Sequence, residues 1–287
     1  MLQIARLSPK QLGDSAELVE KFFRSQLNAD GGFRDRSGDS DLYYTVFGLE
    51  GLIALGFALP AETAGYLRRF GNGASLDLVH LCCLVRCWAS LSGAAAPPFD
   101  VEAVTRRLES FRMAGGGYNT QLDSGEPTAY GSFMVAAAYQ DMRLAIPDPD
   151  GLARSLWRLR SEDGGYSNQP DQDAGLTPST AAAATLLRQL GEEIPAGIGA
   201  WLLARCHAEG GFFAGPFAPI PDLLSTATAL HALLGIKVSF ESIKEPCLDF
   251  VDSLWTNQGA FYGNWMDDAA DCEYTYYGLL AVGHLSL

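Results

Sequence analysis

Two acidic residues near the end of the chain have the spacing of a reactive site. Asp271 and Glu273 stand two residues apart in the segment Asp271-Cys-Glu-Tyr-Thr275. Asp and Thr at a helix start satisfy free backbone N–H groups, and an acid suits the positive end of the helix dipole, so capping is the alternative role for each position. Carboxylates there can also bind a metal or transfer a proton. We therefore take Asp271, Glu273 and the adjacent Tyr274 as candidate catalytic residues.

Cationic and aromatic side chains provide candidates for substrate binding. Arg34 and Arg36 follow a glycine turn, and a phosphate group needs such cations. Aromatic faces hold apolar chains and stabilise cations by cation–π contact, although the same residues would also fill a core. The aromatic candidates for a binding cavity are Tyr43, Tyr44, Phe47, Tyr130, Phe133 and Tyr277.

A glycine-glycine-aromatic motif recurs along the chain and indicates the elements that position these residues. Successive first glycines are 85, 48, 46 and 49 residues apart, so the first interval spans about two periods. Periods of this size are typical of repeated supersecondary units. The copies are Gly31-Gly32-Phe33, Gly116-Gly117-Tyr118, Gly164-Gly165-Tyr166, Gly210-Gly211-Phe212 and the altered Gly259-Ala260-Phe261.

Each unit has the same internal order and predicts a helical hairpin. An amphipathic stretch such as Ser15–Leu27 precedes the glycine turn, and a stretch that is apolar nearly all round, such as Thr45–Leu59, follows it. The first pattern predicts an outer helix, and the second predicts an inner helix buried on all sides. Six hairpins fill one domain, residues 1–287, with approximate limits 14–57, 60–92, 100–143, 148–190, 193–236 and 242–287.

The end of the chain distinguishes an open array from a closed ring. An open solenoid needs terminal repeats with a polar outer face. The last inner stretch, Thr275–Leu287, is as apolar as the middle ones. We therefore predict an all-α fold, a closed α/α toroid (α6/α6 barrel) of six helix hairpins.

A second register marks the start of the inner helices. It is clearest in Asp41–Thr45, Asp222–Thr226 and Asp271–Thr275, where Asp and Thr are four residues apart, and we expect both to serve as caps. Weaker copies are predicted at Ser124–Thr128, Leu176–Thr180 and Asp77–Leu81. His80, in the last of these, could pair with Asp41 or take part in a metal site, although a lone histidine in an apolar stretch is usually a packed residue.

These turns, registers and buried helices resemble the repeat of protein prenyltransferase β-subunits and squalene-hopene cyclases, over essentially the whole chain. The closest copy runs from Gly31-Gly32-Phe33 through Asp41–Thr45 to Gly56. The resemblance implies a deep apolar cavity that holds an isoprenoid or an isoprenoid diphosphate. Small or flexible residues at Met134–Ala138 and Ala181–Ala184 are suited to leaving that space open.

The transferase branch of the resemblance implies a zinc site. Its ligands are Asp-x-Cys at the start of one inner helix and a His in a later repeat. Here Asp271 is retained, Glu273 stands at the cysteine position and Tyr44 at the histidine position. Zinc is therefore possible by resemblance, with Asp271 and Glu273 as the metal ligands. This branch also implies a helical α-subunit as partner and a cationic diphosphate site, for which Arg34 and Arg36 are the candidates.

Two alternatives remain open beside prenyl transfer. Class II terpene cyclases are similar at the same helix start, which would make Glu273 the proton donor and Asp271 the residue that orients it. Alternatively, the toroid has no catalytic role and binds a lipid, or binds a basic peptide at its acidic mouth. The sequence leaves substrate, chain length and oligomeric state open.

Composition excludes several other classes. The net charge of −14 argues against nucleic acid as a partner, and no apolar run is long enough for a membrane-spanning helix. We see no signal peptide, and the six cysteines form no C-x-x-C pair, so we expect buried free thiols and a cytoplasmic location.

Overall fold

The computed structural model describes residues 1–92, 95 and 97–287 and consists of two concentric layers of helices. Short helices precede the first hairpin, and a two-stranded antiparallel sheet and a 3₁₀ turn join the helices elsewhere. In chain order the elements are α1 (Leu2–Ala5), α2 (Pro9–Leu12), α3 (Ser15–Ser25), β1 (Phe33–Arg34), β2 (Ser40–Asp41), α4 (Leu42–Leu55), α5 (Thr63–Arg68), α6 (Leu78–Ser92), α7 (Val101–Glu109), α8 (Ala129–Asp141), α9 (Pro149–Trp157), α10 (Thr177–Gln189), α11 (Ile198–Leu203), α12 (Leu223–Gly235), the 3₁₀ turn Glu241–Ile243, α13 (Lys244–Ser253) and α14 (Cys272–Leu285).

The inner layer is a closed ring of helices. Helices α4, α6, α8, α10, α12 and α14 each contact the next one, and α14 contacts α4. Their all-round apolar sequences suit this position, because a helix without a polar face must be buried on every side. Helices α3, α5, α7, α9, α11 and α13 form the outer layer. The predicted α/α toroid of six hairpins is therefore confirmed, including its closure.

The glycine turns pack each repeat against the next outer helix. Gly31 has φ of +92°, and a Cβ there would lie 2.5 Å from the backbone of Glu62, just before α5. Gly259, in the last repeat, has φ of +83°, and a Cβ would lie 2.4 Å from the backbone of Leu18 in α3. Both positions need glycine for its left-handed backbone and for its lack of a side chain. The contact at Gly259 closes the outer layer between the last and the first repeat. We call this junction, where α14 also meets α4, the seam.

A hydroxyl group joins each of five turns to the inner helix that follows. In the first repeat the backbone N–H of Phe33 donates to Thr45 Oγ1 at 3.0 Å, and Thr45 Oγ1 donates to the Asp41 carbonyl. The same bond fixes the turn aromatics Tyr166, Phe212 and Phe261 to Thr180, Thr226 and Thr275, and Tyr118 to Ser132.

The capping prediction is therefore half right. Asp41, Asp222 and Asp271 are N-caps whose carboxylates accept backbone N–H groups of the first turn, as expected. Thr45 and Thr226, however, lie inside that turn and bind the neighbouring glycine turn instead. These threonines join the inner helix to the preceding glycine turn, whereas a cap would satisfy backbone groups of its own helix.

The register predicted for the third repeat is wrong by four residues. Thr128, placed by the sequence at the inner hydroxyl position, is the N-cap of α8 and accepts from the Gly131 N–H. Ser132 supplies the hydroxyl that bonds the turn. Serine and threonine offer the same acceptor, so the sequence contained two candidates and the spacing to the turn decides between them.

The end of the ring opposite the helix N-termini is covered by α1. This helix packs on α14 and α4, where a Cβ at Gly283 would lie 2.2 Å from the Ile4 carbonyl oxygen. Among the described residues no helix is long and apolar enough to cross a membrane. The six cysteines are free thiols, and Cys206 alone of them is not fully buried.

Candidate functional site

The carboxyl group of Glu273 lies at the mouth of the ring, between two inner helices. Asp271 caps α14, the first residue Cys272 is buried, and Glu273 follows as the second residue. Tyr43 is the second residue of the neighbouring α4, and its hydroxyl donates to Glu273 Oε1 at 2.6 Å. Equivalent positions of two parallel helices therefore meet across the seam.

Burial raises the pKa of Glu273 to about 7. The hydrogen bond from Tyr43 and the positive charge of Arg36 lower this pKa, whereas the charge of Asp271 raises it further. Burial disfavours the ionised form because the carboxylate loses hydration. A substantial fraction of this carboxyl is therefore protonated at neutral pH.

Aromatic rings surround the carboxyl group on the side that faces the ring interior. The Phe47 centroid lies 4.9 Å from that of Tyr43 and 5.5 Å from that of Tyr277. Tyr130 lies across the mouth on α8 and is close enough to influence Glu273 electrostatically. Phe133 lies one turn below Tyr130. The predicted aromatic residues therefore lie around one acid, and the unpredicted Tyr276 contacts Phe47.

Three side chains deep in the ring keep accessible surface. Tyr277 lies so deep that burial raises the pKa of its phenol well above the usual value. Its side chain is nevertheless only half-buried, as are those of Phe133 and Met134. A side chain at such depth keeps accessible surface where the interior is not filled, and we infer that unfilled space lies beside these residues.

Arg36 lies at the seam but is engaged by acids of the last repeat. Its Nε donates to Asp271 Oδ2 at 2.7 Å and its Nη2 to Asp267 Oδ2 at 2.8 Å, while its guanidinium stands 5.5 Å from the Tyr274 ring centroid. Burial raises the pKa of Asp271, and Arg36 offsets only part of that effect. The cation predicted for a phosphate therefore already neutralises the cap of α14.

Arg34 lies apart from the acid, whereas Tyr44 lies near it, with its ring centroid 5.8 Å from that of Tyr43. The Nε of Arg34 donates to Gln26 Oε1 at 2.9 Å on the outer side of the first repeat. Arg34, Arg36 and Asp271 line an outer groove of about 470 Å³ together with Asn257. Tyr44 is half-buried near the mouth, and its backbone N–H donates to Asp41.

His80 bridges the caps of two inner helices. Its Nε2 lies 3.0 Å from Asp41 Oδ2 and its Nδ1 lies 2.8 Å from Asp77 Oδ2, so the predicted pairing with Asp41 is present. The hydrogen bond to Asp41, with that to Asp77, raises the pKa of His80 to about 9. An imidazolium therefore joins the starts of α4 and α6.

The donor atoms at the mouth do not fit zinc. Asp271 accepts from Arg36, Glu273 accepts from Tyr43, and Tyr44 offers a phenol. Within the part of the chain that the structure describes, no three His, Cys, Asp or Glu side chains converge as a metal site. Zinc prefers thiolate and imidazole ligands. The metal role of Asp271 and Glu273 stays a prediction.

A second polar group, not found from the sequence, lies deeper in the ring. Arg86 Nη1 donates to Glu50 Oε1 at 2.9 Å, and Arg86 Nε donates to Asp141 Oδ2 at 2.6 Å. The signal was present in the sequence: Glu50 and Arg86 are charged residues at the ninth position of apolar helices α4 and α6. Equal depth on adjacent helices predicts an ion pair.

The sequence model described as the prenyltransferase alpha-alpha toroid domain matches this chain over residues 3–85, 59–213 and 180–286. A sequence search of curated proteins finds no significant match.

Solved structures with the same architecture have different chemistries. Candida albicans protein geranylgeranyltransferase-I complexed with GGPP is similar with a TM-score of 0.71 and 17% identity, over 94% of this chain and 90% of that one. A variant of the type II terpene cyclase MstE from Scytonema, in complex with geranylgeranyl dihydroxybenzoate, has a TM-score of 0.65 and 14% identity, over 97% of both chains. A D-mannose isomerase has a TM-score of 0.64 and 14% identity, over 97% of this chain and 98% of that one. At these identities the likeness establishes the fold alone.

Proposed function

The chain belongs to the prenyltransferase alpha-alpha toroid family, and on that premise we propose that it binds an isoprenoid in the ring cavity and catalyses a proton-initiated cyclisation or isomerisation. Glu273 is the proton donor. The observation that carries this proposal is the position of its carboxyl group, half-buried among aromatic rings with a pKa of about 7. An acid with a pKa near the working pH is both protonated and able to give up its proton.

The aromatic wall is suited to the intermediate of such a reaction. When Glu273 transfers its proton to an alkene carbon, the O–H bond breaks, a C–H bond forms and the adjacent carbon becomes a cation. The faces of Tyr43, Phe47 and Tyr277 stabilise that charge by cation–π contact. A second alkene of the same chain attacks the cation, and loss of a proton ends the sequence. Substrate and product therefore have the same mass.

Tyr43 and Asp271 act on the acid rather than on the substrate in this proposal. The Tyr43 hydroxyl fixes the orientation of the carboxyl group. Asp271 caps the helix that carries Glu273 and is held by Arg36. The negative charge of Asp271 favours the uncharged form of Glu273, and Arg36 offsets part of that effect.

Prenyl transfer is the second candidate, favoured by the outer groove at the seam. Arg34 and Arg36 line this groove and are the cations that the sequence predicts for a diphosphate. A helical α-subunit or a basic peptide as partner remains a prediction attached to this candidate.

The experiment that tests the proposal compares two variants with the wild-type protein. Geranyl, farnesyl and geranylgeranyl diphosphates and the matching alcohols are incubated with each protein, and products and free diphosphate are followed by mass spectrometry. Glu273→Gln is expected to lower turnover by about 10² to 10⁴-fold, because the proton donor is lost, while ligand binding persists. The control, Glu126→Gln, changes an exposed glutamate paired with Arg158 and should leave turnover unaltered.

The outcomes separate the candidates. A product of unchanged mass that depends on Glu273 supports acid chemistry. Diphosphate release with a prenylated acceptor supports transfer and rejects the role of Glu273 as proton donor. Full activity in Glu273→Gln removes the site assignment.

A further inference from the structure

The deep polar group differs in kind from the apolar wall around it. Arg86 on α6 holds Glu50 of α4 and Asp141 of α8, so one guanidinium joins three successive inner helices. Ionised groups at such depth are costly unless they are paired, and each of these carboxylates has a bond to the guanidinium. We call Glu50, Arg86, Asp141 and the neighbouring Tyr276 the Arg86 site.

Arg86 faces the cavity. Its partner Glu50 is close enough to Tyr277, one of the half-buried residues deep in the ring, for its charge to contribute, after burial, to the raised pKa of that phenol. About a third of the Arg86 side chain, 32%, is accessible, although it lies deep inside the ring, where burial opposes its ionisation most strongly. Its Nη2 atom makes no hydrogen bond to any described residue. The open face of the guanidinium therefore presents N–H donors to the interior.

A buried phenol lies at the same place. The Tyr276 residue is 1% exposed, and burial, followed by the charge of Glu50 and a hydrogen bond to it, raises the pKa of its hydroxyl well above the usual value. A polar atom that lacks a partner at such depth costs free energy that a bound polar group would recover. The donor that points to a ligand atom is therefore Arg86 Nη2.

We propose that the Arg86 site binds a neutral oxygen atom, such as a hydroxyl, ether or carbonyl oxygen, at the deep end of the isoprenoid that fills the cavity. This inference rests on the proposed function and specifies its substrate class, an oxygenated isoprenoid. Two carboxylates bond the guanidinium, and the terminal ammonium of Met1 lies close enough to interact with Glu50 and Arg86, so two acids balance two cations and no excess positive charge attracts a diphosphate. A neutral acceptor gains the Nη2 hydrogen bond without that repulsion.

The depth of the site sets the distance between this oxygen and the reacting carbon. Arg86 and Glu50 are the ninth residues of α6 and α4, whereas Glu273 is the second residue of α14. Parallel inner helices that start at one level separate these positions by seven residues, which is about 10 Å of depth. The substrate therefore spans the cavity, with its oxygen deep and its reacting alkene at the mouth.

The test compares farnesol with farnesene, sesquiterpene chains that differ chiefly in the hydroxyl group. Dissociation constants are measured by titration calorimetry for the wild-type protein and for the triple variant Glu50→Gln/Arg86→Met/Asp141→Asn, which removes the guanidinium together with both carboxylates that bond it. We expect the wild-type protein to bind farnesol about tenfold or more tightly than farnesene, as a hydrogen bond to a charged donor would give. The triple variant should bind both equally and farnesene as before.

Each outcome is decisive. Equal affinities in the wild-type protein, or a farnesol preference that survives the triple variant, overturn the Arg86 site alone. Failure of both compounds to bind the wild-type protein overturns the isoprenoid cavity and the proposed function with it. If circular dichroism finds the triple variant unfolded, Arg86→Lys replaces it: lysine keeps the charge but lacks Nη2, so the farnesol preference must fall severalfold for the inference to stand.

Discussion

At the scale of single residues, the proposed chemistry depends on one half-buried carboxyl group at the mouth. Glu273 is the second residue of α14, a position held by Tyr43 on α4 and by Tyr130 on α8, so an acid stands where two other inner helices carry a phenol. Its pKa is set by burial first and by its hydrogen bond to Tyr43 second. Burial raises this pKa and the hydrogen bond lowers it, so the two effects together predict how the proposed activity depends on pH.

Activity of the wild-type protein should fall as the pH rises through about 7, because the proton donor becomes ionised. The Tyr43 hydroxyl stabilises the carboxylate, so Tyr43→Phe raises the pKa of Glu273 and moves this falling limb to higher pH. The measurement is the pH profile of kcat/KM for both proteins.

Tyr44→Phe is the matched control for this prediction. Tyr44 neighbours Tyr43 on α4, but its hydroxyl makes no hydrogen bond to Glu273, which accepts from Tyr43. The midpoint of its pH profile should equal that of the wild-type protein. A limb that moves to lower pH in Tyr43→Phe would contradict the assigned donor and acceptor.

At the scale of elements, the joint between turn and inner helix explains the recurring threonine. Thr226 accepts the buried N–H of Phe212 at 2.9 Å, whereas Thr228, two residues later on α12, bonds only carbonyls of its own helix. Thr226→Val should lower the free energy of unfolding by about 1–3 kcal/mol, because a buried amide loses its acceptor. Urea denaturation measures the change.

Thr228→Val provides the comparison, because it makes the same change on the same helix without orphaning a turn amide. The free energy of unfolding of this variant should fall by less than about 1 kcal/mol, because the carbonyls that the Thr228 hydroxyl contacts keep their helical hydrogen bonds. Similar losses in both variants would mean that the joint contributes little to stability.

The elements were predictable from the sequence, whereas the contacts between them were not. Glycine turns and apolar stretches identified the hairpins because these signals are local. The role of Ser132 was missed because Thr128 offers the same hydroxyl four residues earlier, although the 14-residue spacing from turn aromatic to hydroxyl, shared with Tyr166 and Thr180, identifies Ser132. At the mouth, the spacing placed Glu273 on α14, but Tyr43 became its partner only through closure of the ring.

At the scale of the whole molecule, the seam between the last and first repeats closes the ring and assembles the candidate site. Arg36 bonds Asp271, Tyr43 bonds Glu273, and Gly259 packs against Leu18 across this seam. Stability and chemistry therefore depend on the same junction.

Gly259→Ala tests the seam. The new methyl group would meet the Leu18 backbone, so we expect a loss of about 1–3 kcal/mol for the forced contact beyond about 1–2 kcal/mol for the left-handed backbone. Gly38→Ala has only the second cost, because φ there is +96° and nothing lies within 4 Å. Equal losses in thermal unfolding of the two variants would show that the seam contact is dispensable.

Closure also changes how the protein can come apart. In a linear array of hairpins, a terminal hairpin detaches by breaking one interface, and protection of its amides against hydrogen exchange is correspondingly low. In this ring α14 contacts α4 as well as α12, so every hairpin has two neighbours. Releasing any one of them breaks two interfaces at once. The slowest-exchanging amides should consequently be spread over all the inner helices, because none of those helices lies at an end from which unfolding can begin.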